Sequence, residues 1–527
     1  MANPPKSVFE QPPAATLTHD EPPPVDPRLI QDRSFFGHPR GLSTLFFTEM
    51  WERFSYYGIR PLLVLFMIAA LADGGFGFER TTASSIAGIY AFSVYLASLP
   101  GGWIADRWLG LRRSIWYGGV FIALGHLSIA LSVVFAHRAF FLGLVFIVIG
   151  TGLLKPNISA IVGDLYPEGG ARRDAGFSIF YMGINTGALI APIVTGFLGE
   201  RVGWHLGFGA AGVGMVIGLI TYRLRAPGTL GPIGIVPSAG PEEQRRVRTI
   251  SLGALGAILL VVVLGMFGAF RINAVYLANL MLYLVLGMAV LYFGYLFLLA
   301  GLTTDEKKRM AVIMVLFVFA MIFWSAFEQA PTSLNLFARD FTDRVVFGWE
   351  VPATWVQLVN PLFVIIFAPV FAVLWVGLAR RGVDLASPAK FGFGVFFAGL
   401  GFLVMVLAAN RVISAGGALR VSLLWLIASY LLQTWGELSL SPVGLSSMTK
   451  LAPRRFVGQM MGVWFTAAAL GNLIAGIVGG NVDPEKLQEM PRLFMRTSVS
   501  LFIAAGVIWA LVIPIRRMMR DVPAHGR

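Results

Sequence analysis

The stretch from 46 to 67, FFTEMWERFSYYGIRPLLVLFM, sets Glu49, Glu52, Arg53 and Arg60 into a run otherwise as apolar as a membrane span. At 100° per residue, Glu49, Arg53, Tyr56 and Arg60 fall within about 60° of one another, and Glu52 and Tyr57 flank them. One face of this helix is therefore polar from end to end. A lone charge at mid-membrane costs about 2.5–3.5 kcal/mol on insertion scales, so four unpaired charges would cost on the order of 10 kcal/mol. They must face a watery cavity and pair with one another or with neighbouring helices. Only three other charges lie deep in apolar runs: Lys155, Glu328 in MIFWSAFEQAPTS, and Glu437 in LLQTWGELSLSP. Burial and a neighbouring cation act in opposite senses on a carboxylate's hold on its proton. Such carboxylates can carry protons, with an occupancy that responds to a charged solute. Trp324 and Glu328 are four apart, as are Glu437 and Ser441, so each pair shares a helix face.

The elements that position these residues follow from composition. The chain has 527 residues, 56% hydrophobic and only 13% charged, with a mean hydropathy of +0.73. A soluble globule needs roughly a quarter charged residues, so most of this chain faces lipid or other apolar helices. The net charge of +13 raises the question of nucleic acid. The basic residues instead cluster in short gaps between apolar runs, as in a solvated membrane rim. There is no cysteine, which excludes disulfides, thiolate metal sites and cysteine nucleophiles.

Apolar windows give about fourteen spans: 43–70, 84–105, 113–136, 140–165, 175–199, 204–222, 249–270, 276–301, 311–337, 353–379, 390–409, 421–448, 457–480 and 495–515. The segments DRWLGLRR, GGARRD, EEQRRVR, DEKKR, LARRG, KLAPRR and RRMMR fall on one side. By the positive-inside rule that side is cytoplasmic, with both termini inside. The expected fold is all-α, two six-helix bundles plus a two-helix insert. Its divisions are a disordered tail at 1–40, an N-terminal bundle at 41–225, a linker and insert at 226–305, a C-terminal bundle at 306–518 and a tail at 519–527. The proline- and acid-rich start reads as a tail, not a cleaved signal.

A repeat supports the division. LKPNISAIVGDLYP carries Pro156 and Pro167 and is followed by Arg172 and Arg173; LSPVGLSSMTKLAP carries Pro442 and Pro453, followed by Arg454 and Arg455. Both proline pairs are separated by 286 positions (442 − 156 and 453 − 167). GALIAPIVTG and GNLIAGIVGG follow in turn. Parallel halves of this kind build rocking transporters with a site between them.

At this point the residues resemble a known family. EMWERFSYYG (49–58) is similar to the ExxER[FY]xYYG motif of the proton-dependent oligopeptide transporters, a branch of the major facilitator superfamily. GGWIADRWLG (101–110) and FSIFYMGINTGAL (177–189) resemble that family's two signatures, with Ser114 and Thr186 as small departures. The resemblance spans residues 40 to 515, including the insert. It implies a proton-coupled symporter that imports di- and tripeptides by alternating access. Glu49, Glu52, Arg53 and Lys155 would couple protonation to the peptide carboxylate, and Glu437 would hold the peptide ammonium. Arg60 and Glu328 would form a gate salt bridge, with Glu328 a protonation site. Tyr56, Tyr57, Tyr95, Asn185 and Asn360 match pocket positions, and Trp324, Ser441 and Trp464 are further candidates. A functional monomer in a bacterial inner membrane, in contact with protons, peptides and lipid, is expected.

Other signals read as structural. GTGLLK (150–155) mimics part of a phosphate loop, but no strand precedes it. His126 reads as an interhelical hydrogen-bonding residue. No metal spacing, cofactor motif or catalytic constellation emerges, so neither an enzyme nor a metal centre is expected. Two alternatives stay open: a nitrate or small-anion transporter of the same fold, against which Glu437 argues, and a peptide sensor without net flux.

Overall fold

The computed structural model describes residues 32–167, 170–269, 273–381 and 385–519. Residues 1–31 and 520–527 of the expected tails lie outside it. Residues 32–39 are not a tail: they form a turn on the start of the first helix. The Asp32 carboxylate accepts the backbone N–H of Arg40 at 2.7 Å, and buried His38 hydrogen-bonds Tyr166 at 2.9 Å. Capping a helix N-terminus and burying an aromatic ring outweigh the polar composition of this segment.

Fifteen helices follow in chain order: α1 (Arg40–Ile68), α2 (Arg80–Ile104), α3 (Leu111–Ala130), α4 (Ser132–Asp164), α5 (Gly170–Ala191), α6 (Trp204–Leu230), α7 (Pro241–Met266), α8 (Ala274–Leu298), α9 (Thr304–Phe327), α10 (Asn335–Phe341), α11 (Val359–Arg380), α12 (Ser387–Ser414), α13 (Leu424–Leu451), α14 (Val457–Gly479) and α15 (Glu489–Met519). All but the short α10 correspond to the fourteen expected spans. Eleven are apolar and long enough to cross a membrane. The long helices outside that set are α1, α3 and α13, and α1 falls short because of the charges described above. The protein is thus an integral membrane protein of helical bundles.

Local chemistry explains several boundaries. α7 starts at Pro241, whose missing N–H costs nothing at that position, with Glu242 and Glu243 in its first turn. Thr303 and Glu306 form a reciprocal capping box at the start of α9. The Asn273 side chain caps α8. α9 ends at Phe327, a five-residue turn follows over Ala330–Leu334, and α10 resumes the direction. Pro331, which cannot donate to a helix, sits in that turn. The interruption leaves Glu328 at the helix's C-terminal cap, inside the bundle.

The basic segments gather at one end. Arg107 pairs with Glu243, the backbone N–H of Arg112 bonds Gly234 O at 2.9 Å, and Arg455 reaches Gly301 O at 3.1 Å and Glu306 at 3.6 Å. At the opposite end the two halves are pressed together. A Cβ on Gly88 of α2 would lie 2.7 Å from the Cα of Gly476 in α14. A Cβ on Gly196, beyond α5, would meet Thr354 Oγ1, before α11, at 2.1 Å. These two contacts are pseudo-equivalent: each joins the end of the fifth helix in one half to the start of the second helix in the other. Within the halves the correspondence continues. Gly187 of α5 lies against Met50 and Arg53 of α1, and Gly471 of α14 against Trp324 and Ser325 of α9.

The Gly88–Gly476 contact is backbone on backbone, so a larger residue has nowhere to go. Gly88→Leu is expected to cost about 1–3 kcal/mol of closure at this end. Leu63 is buried beside Arg60, Gly88 and Glu328, and with no native cysteine a single cysteine there reports the effect. Maleimide labelling at position 63 should accelerate in the Gly88→Leu background; unchanged labelling would show that α2 and α14 do not hold this end shut.

Candidate functional site

A cavity with about 150 Å³ of water-accessible volume lies between the halves. α1 contributes Tyr57 and Arg60, α2 Tyr95, α5 Tyr181 and Asn185, α9 Trp324, Glu328 follows α9, α11 contributes Asn360, and α13 Tyr430, Gln433 and Glu437. Eight of the residues singled out from sequence therefore share one cavity: Tyr57, Arg60, Tyr95, Asn185, Trp324, Glu328, Asn360 and Glu437. Tyr181, one turn nearer the basic end than Asn185, is 48% exposed, so the cavity opens on that side.

Close helix contacts aim these side chains. The Thr195 hydroxyl donates to the carbonyl of Gly58 or Ala191, each at 2.9 Å. Buried His126 bonds Ser55 at 2.5 Å, joining α3 to the rear of α1, the interhelical role expected of it. With α1 held front and back, its polar face points at the cavity and its own ion cluster. In that cluster Arg53 Nε lies 3.1 Å from Glu49 Oε1, and the same guanidinium contacts Glu52. All three side chains are almost fully buried. The second oxygens, Glu49 Oε2 and Glu52 Oε1, have no hydrogen-bond partner. A cation shared by two carboxylates with acceptor sites to spare is an arrangement able to accept a proton without breaking up.

Arg60 makes the link between halves. Its Nη2 donates to Glu328 Oε2 at 2.6 Å and to Asn472 Oδ1 at 2.9 Å. Around it, Asn335 donates to Pro61 O at 2.7 Å, and Arg80 pairs with Asp340 at 2.6 Å and bonds Val482 O at 2.9 Å. Glu200 accepts the N–H groups of Ala353 and Thr354 at 2.8 and 2.9 Å and the Thr354 hydroxyl at 2.7 Å. These polar ties all lie toward the end away from the basic segments.

Glu437 is held by Asn360, whose Nδ2 reaches its Oε2 at 3.0 Å and Thr434 Oγ1 at 3.1 Å. Lys155 has its ammonium 4.2 Å from the centre of the Tyr95 ring, which places a cation next to the cavity wall on the N-terminal half. Dipolar solutes suit such a space: acceptor on one half, cations on the other, aromatic and amide groups between.

Several expected residues do not line the cavity in this conformation. Tyr56 is buried between Arg53 and Arg60, which lie 5.1 and 5.3 Å from its ring centre, and it stacks on Tyr90. Trp464 packs onto Gly444 and Phe391 within the C-terminal half. Ser441 has a buried hydroxyl without a partner and is absent from the lining. Glu49, Glu52, Arg53 and Lys155 stand outside the wall as described. The departure at Thr186 leaves Asn185 undisturbed, since its hydroxyl bonds Met182 O at 2.8 Å while Asn185 bonds Tyr181 O at 2.9 Å. Sequence reasoning missed Tyr181, Gln357, Tyr430, Gln433 and Asn472. Asn472 carried a legible signal, because it replaces the Ala188 of the matched GALIAPIVTG segment with an amide.

Two helical bundles enclosing a central polar cavity have the architecture of a membrane transporter. The sequence pattern of the POT family matches residues 112–227 and 273–491, and the chain belongs to that family. It is 51% identical over 495 residues to the peptide transporter YePEPT of Yersinia enterocolitica subsp. palearctica serotype O:3 (strain YE-P4), covering 93% of this chain and 97% of that protein. It is 37% identical over 509 residues to a di-/tripeptide transporter of Lactococcus lactis subsp. cremoris, covering 93% and 98%. A crystal structure of a peptide transporter POT in complex with sulfate superposes with a TM-score of 0.84 at 40% identity, covering 93% and 97% of the two chains. A POT family transporter in complex with 5-aminolevulinic acid gives 0.83 at 37%, covering 92% and 98%.

Removing the Asn472 amide leaves Arg60 a single partner, and a hydrogen bond to a charged group contributes about 1.5–3 kcal/mol. Asn472→Ala should raise the ratio of open to closed molecules at this end about tenfold or more. Spin labels on cysteines replacing Leu71 and Phe347, exposed on opposite halves, would read this as a longer-distance population; an unaltered distance distribution would remove Asn472 from the gate.

Proposed function

We propose that this protein is a proton-coupled symporter that imports di- and tripeptides by alternating access. The carrying observation is the division of charge across one cavity: Glu437 on the C-terminal half, Arg60 with Lys155 beside Tyr95 on the N-terminal half. A zwitterionic peptide has a terminal ammonium and carboxylate whatever its side chains. A cavity with a carboxylate on one wall and cations on the other reads those ends, and the aromatic and amide groups between tolerate varied side chains.

In this reading Glu437 holds the ammonium, while Arg53 and Lys155 engage the carboxylate once a proton on Glu49 or Glu52 loosens their hold on Arg53. Protonation of Glu328 removes the charge that keeps Arg60 in place, and the gate end opens. Tyr56, Ser441 and Trp464 would join the pocket only in a different conformation. The basic end is cytoplasmic by the positive-inside rule, which makes the conformation described here inward-facing. The protein acts as a monomer in a bacterial inner membrane, with both termini inside. Small anions fit less well, because they give Glu437 no partner. A sensor without flux would not need the proton-accepting cluster on α1.

Labelled dialanine should accumulate in proteoliposomes under an inward proton gradient and stop accumulating with a protonophore, in Glu52→Gln and in Lys155→Ala. Glu437→Gln should raise KM about tenfold or more, the loss of a charge-assisted hydrogen bond, and erase the preference for dialanine over its N-acetylated form. Glu328→Gln should lose accumulation against a gradient. Binding without gradient-driven uptake would favour the sensor, and absence of binding would favour small anions.

A further inference from the structure

A second cavity, with about 240 Å³ of water-accessible volume, lies outside the transport path, between α9, α14 and α15 near the gate end. Its lower wall is apolar, with Ile322, Ile474, Val478 and Leu501. Its other wall carries Arg496, Thr497 and Ser500 of α15. Arg496 is exposed and, among the described residues, has no acidic partner. It lies seven residues beyond the start of α15 at Glu489, which is about 10 Å along the helix at 1.5 Å per residue. Met495, Val499 and Ile503 flank it, 42%, 44% and 62% exposed. That outward apolar surface places Arg496 on a face turned to lipid, at a depth from which its guanidinium extends back to the headgroup layer. One turn nearer the end, Arg492 is already engaged by Glu489 at 3.4 Å.

An unpaired guanidinium on a lipid-facing helix is costly unless an anion meets it. We propose that this crevice binds an anionic phospholipid, with the phosphodiester on Arg496 and an acyl chain running against the apolar wall past Ser500, whose hydroxyl is turned back onto Arg496 O at 2.7 Å. Guanidinium matches phosphate oxygens by bidentate hydrogen bonds, and a lipid headgroup is the phosphate that a lipid-facing arginine meets when it extends to the interface. The crevice also backs onto the gate. Buried Gln329, the residue after Glu328, lines it and donates to Ser325 O at 3.2 Å or Thr497 Oγ1 at 3.4 Å. A lipid seated there braces the break between α9 and α10 from behind. This proposal concerns lipid binding and stands whether or not the transported solute is a peptide.

The test uses the purified full chain and native mass spectrometry with phosphatidylglycerol against phosphatidylcholine. Wild type should retain phosphatidylglycerol preferentially, Arg496→Gln should weaken that retention about tenfold, and Arg411→Gln, an exposed arginine near the same end, should not. Ser500→Leu, which fills the crevice without removing charge, should weaken it as well and serves if Arg496→Gln is not recovered folded. Equal retention in the wild type and both crevice variants, or no preference for the anionic lipid, would overturn the proposal. So would displacement of the lipid by inorganic phosphate at equal concentration, which would make this a site for free anions.

Discussion

Charge inside a low-dielectric bundle must be neutralised, and almost every functional feature of this protein answers that requirement. Arg60 is the clearest case. Its guanidinium is satisfied by Glu328 and Asn472 from the other half, so the two bundles are tied by the same electrostatics that forbid an isolated cation there. In the proposed mechanism, removing the negative charge of Glu328 frees Arg60 to move, so that a local proton acts on a whole-molecule equilibrium. The α1 cluster obeys the same rule within one helix: Arg53 neutralises Glu49 and touches Glu52, and the leftover acceptor oxygens are where the proposed mechanism puts a proton.

Packing decides where those charges can meet. The halves meet backbone to backbone where neither carries a side chain, at Gly88 and Gly476, and each bundle brings its fifth helix onto its first at Gly187 or Gly471. Such contacts suit a membrane, where helices gain little hydrophobic energy from one another and depend on close van der Waals fit. The break at Pro331 plays the complementary part. It interrupts α9 at the depth of the cavity, frees Glu328 from the regular helix, and is tolerated because protein rather than lipid surrounds the exposed backbone.

The insert and the rim have different physics. α7 has no buried residue in its membrane-length window and is stabilised by lipid and its own hydrogen bonding, whereas α8 buries Ala278, Val285, Phe293 and Leu296 in the core and leaves the rest of its surface to lipid. α8 nevertheless reaches the C-terminal half through Tyr292 and Gln459, 2.5 Å apart. The linker before α7 is fastened to the N-terminal half, where Ser238 bonds Asp106 O through both N–H and hydroxyl. The connection between halves is thereby anchored at each end without bridging the cavity.

Local properties were readable before any contact was known. Hydropathy and length placed the fourteen long helices, the matched prolines at 156 and 442 pointed to the halves, and the anomalous charges singled out α1, whose Tyr57 and Arg60 line the cavity, because each depends only on neighbours within a few turns. The folded start at 32–39 escaped that reading, since its stability comes from His38 meeting Tyr166, 128 residues away. Within the site, the helical face of α1 was legible, but not that Tyr56 lies buried between two arginines while Tyr57 lines the cavity. Tyr181, Tyr430 and Gln433 gave no sequence signal, because a tyrosine or glutamine in an apolar helix looks the same whether it faces a cavity or a neighbour. The sequence by itself determined the solvent, the order of the long helices and the identity of the unusual charges. Tertiary structure alone chose their partners, since Arg60 and Glu328 stand 268 positions apart and only the packing of two bundles brings a buried cation to its anion.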